Sequence, residues 1–230
     1  MRSDPVGSLS RIGVRSAAKG DPVQLTPLQR EILSMLGRLG FATGAQLAYW
    51  CRVPPQSVTR AARLLSGCGR VGVCAVPRPA IWCAGACGAH ARVASVSWRL
   101  MAHVCHRNAL EILLDRRLGG FRFLPRTVLL RQGFNPTHGE HAGIDGSGRS
   151  WLVLLDDIQM ASARIGRTWY RRHTPSSRHW PDPAGRCWGE VMQRYVVACT
   201  DPDQAQRHRI WIAAHDVPVT VIDIPALWTA

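Results

Sequence analysis

The sequence predicts an α+β fold, with a helical N-terminal half followed by a C-terminal half that mixes strands with helices. Apolar residues recur at helical spacing between Leu25 and Ser66, whereas short strand-like apolar runs follow Gly119-Gly120. A length of 230 residues is enough for two small domains, each with its own core. No apolar run approaches the roughly 18 residues of a membrane span, so we expect no membrane segment.

Three helices are predicted in the N-terminal half. The Thr26-Pro27 pair is typical of a helix start, with threonine as the cap and proline in the first turn. A short second helix is predicted over 44–51. Pro54-Pro55 separates it from a third helix over 55–66, because proline lacks the amide donor that a helix interior needs. The third helix should bury its apolar residues, which are Val58, Ala61, Ala62 and Leu65.

Two helices joined by a tight turn, the second with polar and arginine residues near its start, indicate a helix-turn-helix. An alternating stretch over 70–76 and a returning strand over 81–83 would form a wing. A winged helix-turn-helix domain is therefore predicted over 24–92, with polar and basic side chains that contact double-stranded DNA. These side chains are Gln56, Ser57, Thr59, Arg60, Arg63, Arg70 and Arg78. The alternative is a small helical bundle whose exposed arginines are only solvated.

The charge of the chain favours a polyanionic partner. The formal net charge is +14 and the isoelectric point is about 10.8, and nucleic acid is the commonest polyanion. Lys19 is the only lysine, so the charge is carried by arginine, which pairs bidentately with phosphates and guanine edges. A GC-rich genome would explain the choice of arginine but not the sign of the charge. Residues 1–23 are expected to form a basic flexible tail, and the protein to be cytoplasmic and nucleoid-associated.

The eight cysteines form no regular framework and accompany no secretory signal, which fits buried thiols in a reducing cytoplasm. Two clusters could in principle supply a tetrahedral zinc site. They comprise Cys83, Cys87 and His90, then His103, Cys105 and His106. Their spacing is not that of paired ligand knuckles, so we expect Cys83 and Cys105 to be apolar contacts and predict no metal.

A long helix over 95–118 is predicted to link the two halves, and it is a candidate contact for a homodimer. Its expected inward stripe is Leu100, Val104, Ala109, Ile112 and Leu113.

A small mixed α/β domain is predicted over 119–230. Its strands are expected at 128–130, 141–145, 151–156, 194–199, 210–213 and 219–224, and its helices at 158–172 and 202–209.

Acidic residues gather around the strand predicted over 151–156. This strand ends in Asp156 and Asp157, and the period of two places Asp157 and Gln159 on one face and Asp156 on the other. Glu140 and Asp145 on the preceding strand are expected to approach them. Converging carboxylates are the ligands that a magnesium-dependent phosphodiesterase needs. The alternative is a strand-to-helix boundary, where acids cap the helix.

The order of a long helix, a three-stranded meander, a helix and a strand resembles the PD-(D/E)xK nuclease-like fold. Joined to a preceding winged helix, this order is similar to the replication-relaxation family, which are mobilisation-associated proteins of plasmids and integrative conjugative elements. The matching segments are Leu25–Leu65, Ile81–Ala91, His103 and the hairpin 139–157. The resemblance implies a DNA-binding protein of a mobile element. Such a protein acts as an accessory factor with other DNA-processing proteins, or as a transcriptional regulator.

The sequence departs from the nuclease motif at its lysine. Ile158 or Gln159 stands at that place, and residues 119–230 contain no lysine. We therefore expect a non-catalytic DNA-binding role without a cofactor. One alternative is a magnesium-dependent endonuclease targeted by the winged helix. It would use Glu140, Asp145, Asp157 and Gln159. The other alternative is a protein-interaction adaptor.

A second basic surface is predicted after this strand, where arginines alternate with aromatic residues. Such a mixture suits phosphate contact combined with base stacking. The arginines are Arg164, Arg167, Arg171, Arg172 and Arg178, and the aromatic residues are Trp169, Tyr170, Trp180 and Trp188. The alternative is a set of packed tryptophans with solvated arginines.

Overall fold

Seven helices and two sheets make up the residues that the structure, a computed structural model, describes. These residues are 24–74, 80–85, 96–137, 139–157, 160–173 and 191–224. The predicted α+β class is confirmed. Within these ranges, no helix is long and apolar enough to cross a membrane.

The N-terminal unit combines three helices with a small sheet. Its elements are α1 (Pro27–Leu39), β1 (Phe41–Thr43), α2 (Gly44–Cys51), α3 (Pro55–Gly67), β2 (Val71–Cys74) and β3 (Ile81–Ala84). The strand order is β1-β3-β2, with both pairs antiparallel. Thr26 caps α1 as predicted, and it shares a capping box with Gln29; Thr43 and Gln46 do the same for α2. Sequence reasoning missed β1, which is only three residues long.

The core of this unit confirms the predicted inward face of α3. Val58, Ala61, Ala62 and Leu65 are all buried. They pack with Ile32 and Leu36 of α1, Leu47 of α2 and Trp82 of β3. The apolar spacing therefore fixes which face of α3 remains exposed.

Helix α4 (Trp98–Leu118) confirms the predicted long helix, but the predicted inward stripe is wrong. Leu100 is 49% exposed, and the other four residues of that stripe are only half-buried. The buried residues are instead Met101, Cys105, His106, Asn108, Leu110, Glu111 and Leu114. Three of these are polar or charged, and they can be buried because α4 packs on two sides and its polar groups find tertiary partners. Asn108 Nδ2, for example, donates to the carbonyl of Phe41 at 2.7 Å.

The C-terminal unit is built on a five-stranded sheet of order β4-β5-β6-β7-β8. Its elements are β4 (Phe121–Phe123), α5 (Arg126–Arg131), β5 (Glu140–Asp145), β6 (Ser150–Asp156), α6 (Ala163–His173), β7 (Arg194–Cys199), α7 (Pro202–Ala214) and β8 (Thr220–Asp223). Strands β4, β5 and β6 are antiparallel neighbours, whereas β7 and β8 continue the sheet in parallel.

Helices cover both faces of this sheet. Val153 and Leu155 of β6 pack with Leu110 and Leu114 of α4. Leu152 and Leu154 point the other way, into a core that contains residues of α5, α6 and α7. Strand β6 is thus buried on both faces, as its continuous apolar run predicts.

Two predicted strands are wrong. Residues 128–130 belong to α5, where Leu129 is buried and Leu130 is 47% exposed. Residues 210–213 continue α7, with Ile210 62% exposed and Ile212 buried. Short apolar runs do not distinguish a strand from a helix. In both segments the surrounding fold favours the helix. The helix predicted over 158–172 begins only at Ala163.

Replacing Gly143 with alanine is expected to destabilise the C-terminal sheet. A Cβ there would collide with the ring of Phe121 and lie 2.8 Å from the carbonyl of Arg122. Overpacking of this kind costs about 1–3 kcal/mol. The control is Gly37→Ala in α1, where the added methyl meets nothing within 4 Å, so stability should rise by about 0.5–1 kcal/mol. Urea unfolding of both variants measures the difference, and a G143A midpoint at or above wild type would contradict the packing.

Candidate functional site

Helix α3 carries its buried and exposed residues on opposite sides. At about 100° per residue, the exposed Gln56, Arg60 and Arg63 fall within about 60° of one another around the axis. Ser57 and Leu64 extend this exposed face, with Leu64 59% exposed. Four of the predicted DNA-contacting residues therefore share one continuous surface.

Thr59 lies at the edge of that surface. It is half-buried, and its hydroxyl donates to the carbonyl of Pro55 at 2.9 Å. A groove of about 450 Å³ runs beside it between α3, the start of α2 and the sheet. The groove is lined by Gly44, Ala45, Pro55, Thr59, Arg63, Ser66, Val73, Ala80 and Trp82.

The sequence around α3 is strongly basic. Residues 24–84 contain seven arginines and one acid, Glu31. Arg70, at the start of the sheet, and Arg52, in a left-handed conformation at the end of α2, are both exposed. Arg38 is engaged within the fold, because it stacks 4.3 Å from the ring centroid of Trp50. Arg78 lies outside the described residues, so its predicted wing contact stays a prediction.

Asp157 follows β6 and faces α4. Its Oδ2 lies 3.0 Å from Nδ1 of His103 and 3.3 Å from Nδ1 of His106. Burial acts to raise the pKa of Asp157, but the hydrogen bonds and charge of the two histidines outweigh burial and hold that pKa well below its ordinary value. Asp157 therefore fastens α4 to the end of β6.

His141 of β5 completes this histidine cluster, which we define as His103, His106, His141 and Asp157. Its ring centroid lies 5.5 Å from that of His103 and 5.4 Å from that of Phe123. Burial, together with the charges of Arg107 and His103, lowers the pKa of His141 to about 3. Within the part of the chain that the structure describes, His141 Nε2, His106 Nε2 and Asp157 Oδ1 are buried without a hydrogen-bond partner.

Asp156 points to the opposite face of the sheet. Its Oδ1 accepts the amide proton of Met160 at 2.8 Å, and its Oδ2 lies 2.7 Å from Nε2 of His208 on α7. The other ring nitrogen of His208, Nδ1, lies 2.8 Å from Oγ of Ser162. Sequence reasoning missed Ser162 and His208, because the predicted helix over 202–209 gave no indication of which residues α7 buries.

Cys199 of β7 lies beside this chain of hydrogen bonds. Its thiol, the Asp156 carboxylate and the His208 imidazole lie within 4.8 Å of one another, and zinc accepts these donor types. Burial raises the pKa of the Cys199 thiol to about 12. In this arrangement the Asp156 carboxylate and the His208 imidazole are joined directly by a hydrogen bond of 2.7 Å.

The cysteines considered for zinc in the N-terminal half confirm the apolar prediction where the structure describes them. Cys83 and Cys105 are both buried, and burial raises the pKa of Cys105 to about 12. Cys87 and His90 lie outside the described residues.

Glu140 is held in a separate ion-pair cluster. Its carboxylate accepts from Arg172 Nη2 at 2.6 Å, Arg171 Nη2 at 2.7 Å and the Thr137 hydroxyl at 2.7 Å. Burial acts to raise the pKa of Glu140, but the bonds from Arg172 and Thr137 outweigh it and the pKa is lowered. Arg172 is 2% exposed and stacks 4.3 Å from the ring centroid of Phe134, so its predicted place on a basic surface is wrong.

Asp145 shapes the β5–β6 turn. Its carboxylate accepts from the Ser147 hydroxyl at 2.6 Å and from Trp151 Nε1 at 2.9 Å, and these bonds hold its pKa well below the ordinary value. It lies at the opposite end of β6 from Asp157, about 20 Å away for six residues of extended strand. The predicted convergence is therefore wrong for Asp145. It is wrong for Glu140 as well, because Glu140 pairs with Leu154 and lies on the face of the sheet opposite to Asp157. Gln159 lies outside the described residues.

The remaining arginines of the predicted second basic surface lie on α6. Arg164, Arg167 and Arg171 line a groove of about 460 Å³ together with Thr137 and Thr168. Arg171 is partly neutralised by Glu140, whereas the side chain of Arg167 is exposed. Arg178, Trp180 and Trp188 lie outside the described residues.

Comparison with known proteins adds nothing to this geometry. No protein-family model and no curated protein matches the chain.

Glu140→Gln is expected to destabilise the protein, because the buried guanidinium of Arg172 would lose its counter-charge. Removing one partner of a buried ion pair costs about 3–5 kcal/mol. Chemical denaturation followed by tryptophan fluorescence measures the loss. The double variant E140Q/R172M, which removes both charges, should recover part of it. A single variant as stable as wild type would refute the pairing.

Acid is expected to destabilise the protein through His141. In the unfolded chain this histidine binds a proton below about pH 6.5, whereas in the folded protein it resists protonation until about pH 3. Falling pH therefore favours the unfolded state, by at most about 1.4 kcal/mol per pH unit. Arg107, His103, Asp157 and Glu140 act on His141 electrostatically.

His141→Asn should flatten this dependence. We expect the unfolding free energies of wild type and H141N to converge between pH 6.5 and 4.5 and to run parallel above pH 7. Denaturation at several pH values tests this. Parallel curves through the acid window would show that His141 is not the group that titrates.

Proposed function

We propose that the chain binds double-stranded DNA and that its N-terminal unit acts as a winged helix-turn-helix. The observation that carries the proposal is the exposed face of α3, on which Gln56, Arg60 and Arg63 lie opposite a fully apolar buried face. Helices α2 and α3 are joined by a three-residue turn over 52–54, and an antiparallel pair, β2 and β3, follows them. This order supports the assignment of α3 as the recognition helix and of β2 and β3 as the wing.

The side chains on α3 suit base and phosphate recognition. Arginine forks pair with guanine edges and glutamine pairs with adenine in the major groove, each for about 1–3 kcal/mol of discrimination. The 13 residues of α3 span about 20 Å, and the major groove is about 12 Å wide. We assign base contacts to Gln56, Ser57 and Arg60, and phosphate contacts to Arg63 and Arg70.

The positive charge of the N-terminal unit also supports double-stranded DNA as the partner. Residues 24–84 carry seven arginines against one acid, a formal charge of +6. Basic side chains release counterions from the duplex when they neutralise phosphates, so the binding should depend strongly on salt.

For the C-terminal unit, we propose a nuclease-like scaffold that does not cleave DNA with a metal ion. The order α4, β4, α5, β5, β6, α6, β7, with three antiparallel strands followed by a parallel strand, supports this scaffold. The carboxylates that a metal would need are held apart by separate partners, His103 and His106 for Asp157 and Arg172 for Glu140. An accessory or regulatory role in a mobile element rests on the resemblance to the replication-relaxation family.

Replacing Arg60 and Arg63 with alanine tests the interface. The double variant should bind a labelled duplex at least about tenfold more weakly, because each arginine contact is worth about 1–3 kcal/mol. Its salt slope should fall by about 1 to 2. Fluorescence anisotropy at several salt concentrations measures both quantities, with binding sites first selected from random DNA.

The matched control is Arg149→Ala, which removes one exposed charge from the β5–β6 turn. It should leave affinity and salt slope near wild type. Equal weakening by R149A would assign the binding to net charge instead of α3, and unchanged binding by the R60A/R63A variant would favour the adaptor alternative. Magnesium-dependent cleavage of plasmid DNA that Asp157→Ala abolishes would contradict the non-catalytic role.

A further inference from the structure

Ser162, His208 and Asp156 form a linear chain of hydrogen bonds that DNA binding does not use. Oγ of Ser162 lies 2.8 Å from Nδ1 of His208, and Nε2 of His208 lies 2.7 Å from Oδ2 of Asp156. Both distances fall in the range of about 2.6–3.2 Å that links a nucleophile to its base and the base to the group that orients it. The three residues come from the segment before α6, from α7 and from the end of β6.

The carboxylate decides which nitrogen of His208 carries the proton. An ionised carboxylate can only accept hydrogen bonds, and Oδ1 of Asp156 already accepts from the amide of Met160. Nε2 of His208 lies 2.7 Å from Oδ2 of Asp156 and 3.2 Å from Nε2 of Gln204. The shorter contact to the carboxylate favours a proton on Nε2, which leaves the lone pair of Nδ1 directed at Ser162. The hydroxyl of Ser162 then donates to Nδ1. In this state the imidazole is set to accept the serine proton.

The chain of bonds runs from the interior to the surface. The side chains of Asp156 and His208 are 0% exposed, and a hydrogen bond in such a low-dielectric site is electrostatically strengthened. Ser162 itself is only half-buried, and Ala161 and Ala163 on either side are exposed. A reagent from solution can therefore approach the serine while its base stays protected.

Ser162 lies at the N-terminal end of a helix. Helix α6 begins at Ala163, so the positive end of its dipole lies next to the serine hydroxyl. This positive field would stabilise an oxyanion that forms at a bound electrophile, and it favours a substrate that carries negative charge.

We propose that Ser162 is a nucleophile, with His208 as its general base and Asp156 as the residue that positions His208, and that it attacks an anionic ester. Oγ forms a bond to the acyl carbon while its proton moves to Nδ1 of His208. The ester C–O bond then breaks, and the leaving alkoxide takes that proton. Water, deprotonated by the same imidazole, hydrolyses the acyl-serine and regenerates the hydroxyl. This activity is separate from duplex binding at α3.

A fluorophosphonate probe applied to the full chain tests the proposal. The Ser162 oxygen bonds to phosphorus, the P–F bond breaks, and the proton passes to His208. We expect labelling of one site per chain, located at Ser162 by peptide mass spectrometry. Ser162→Ala should abolish labelling and keep wild-type affinity for duplex DNA. His208→Gln should slow labelling by about 10²–10⁴-fold, the usual contribution of a general base.

Ser34→Ala is the matched control, because Ser34 is an exposed serine on α1 with no proposed role, and it should label like wild type. Ser162→Cys provides a second test, which measures thiol reactivity and does not use the fluorophosphonate probe. The introduced thiol should react with iodoacetamide at least about tenfold faster than the exposed Cys68 of the same chain, because a neighbouring imidazole promotes the thiolate. Absence of labelling in folded wild type, labelling that persists in S162A, or a thiol slower than Cys68 would each overturn the proposal.

Discussion

Two consecutive carboxylates at the end of β6 hold helices against both faces of the C-terminal sheet. Side chains alternate along a strand, so Asp156 and Asp157 point in opposite directions. Asp156 binds His208 of α7, and Asp157 binds His103 and His106 of α4. A buried charge without partners would cost several kcal/mol, so these contacts restrict how both helices can pack.

Helix α4 carries this constraint into the N-terminal unit. The side chain of Gln46 in α2 donates to the carbonyl of Cys105 at 2.7 Å, and Tyr49 donates to Asp115 at 2.5 Å. Ile81 of β3 packs with Met101 and Cys105. One side of α4 therefore supports the unit that contains α3, while another is tied to the end of β6. This double engagement explains why so many polar residues of α4 are buried.

Local signals in the sequence were sufficient to predict the bounds of the N-terminal helices and the buried face of α3. The cap at Thr26 and the break at Pro54-Pro55 depend only on neighbouring residues, and the inward face of α3 follows from its 3.6-residue period. The α4 stripe could not be obtained this way, because its burial depends on partners far along the chain. The partners of the buried carboxylates could not be predicted from the sequence either, because they lie far away along the chain. His208 lies 52 residues from Asp156, and Arg172 lies 32 residues from Glu140.

Burial of acids also changes the electrostatic surface that a duplex would meet. Glu111, Glu140, Asp145 and Asp156 are buried, whereas Arg172 is buried alone among the described arginines. Interactions between exposed charges are screened over about 10 Å at moderate salt, so the charges nearest the phosphates dominate. The exposed arginines of the proposed interface are Arg60, Arg63 and Arg70. Among the described residues, burial therefore withdraws more acids than arginines from the surface.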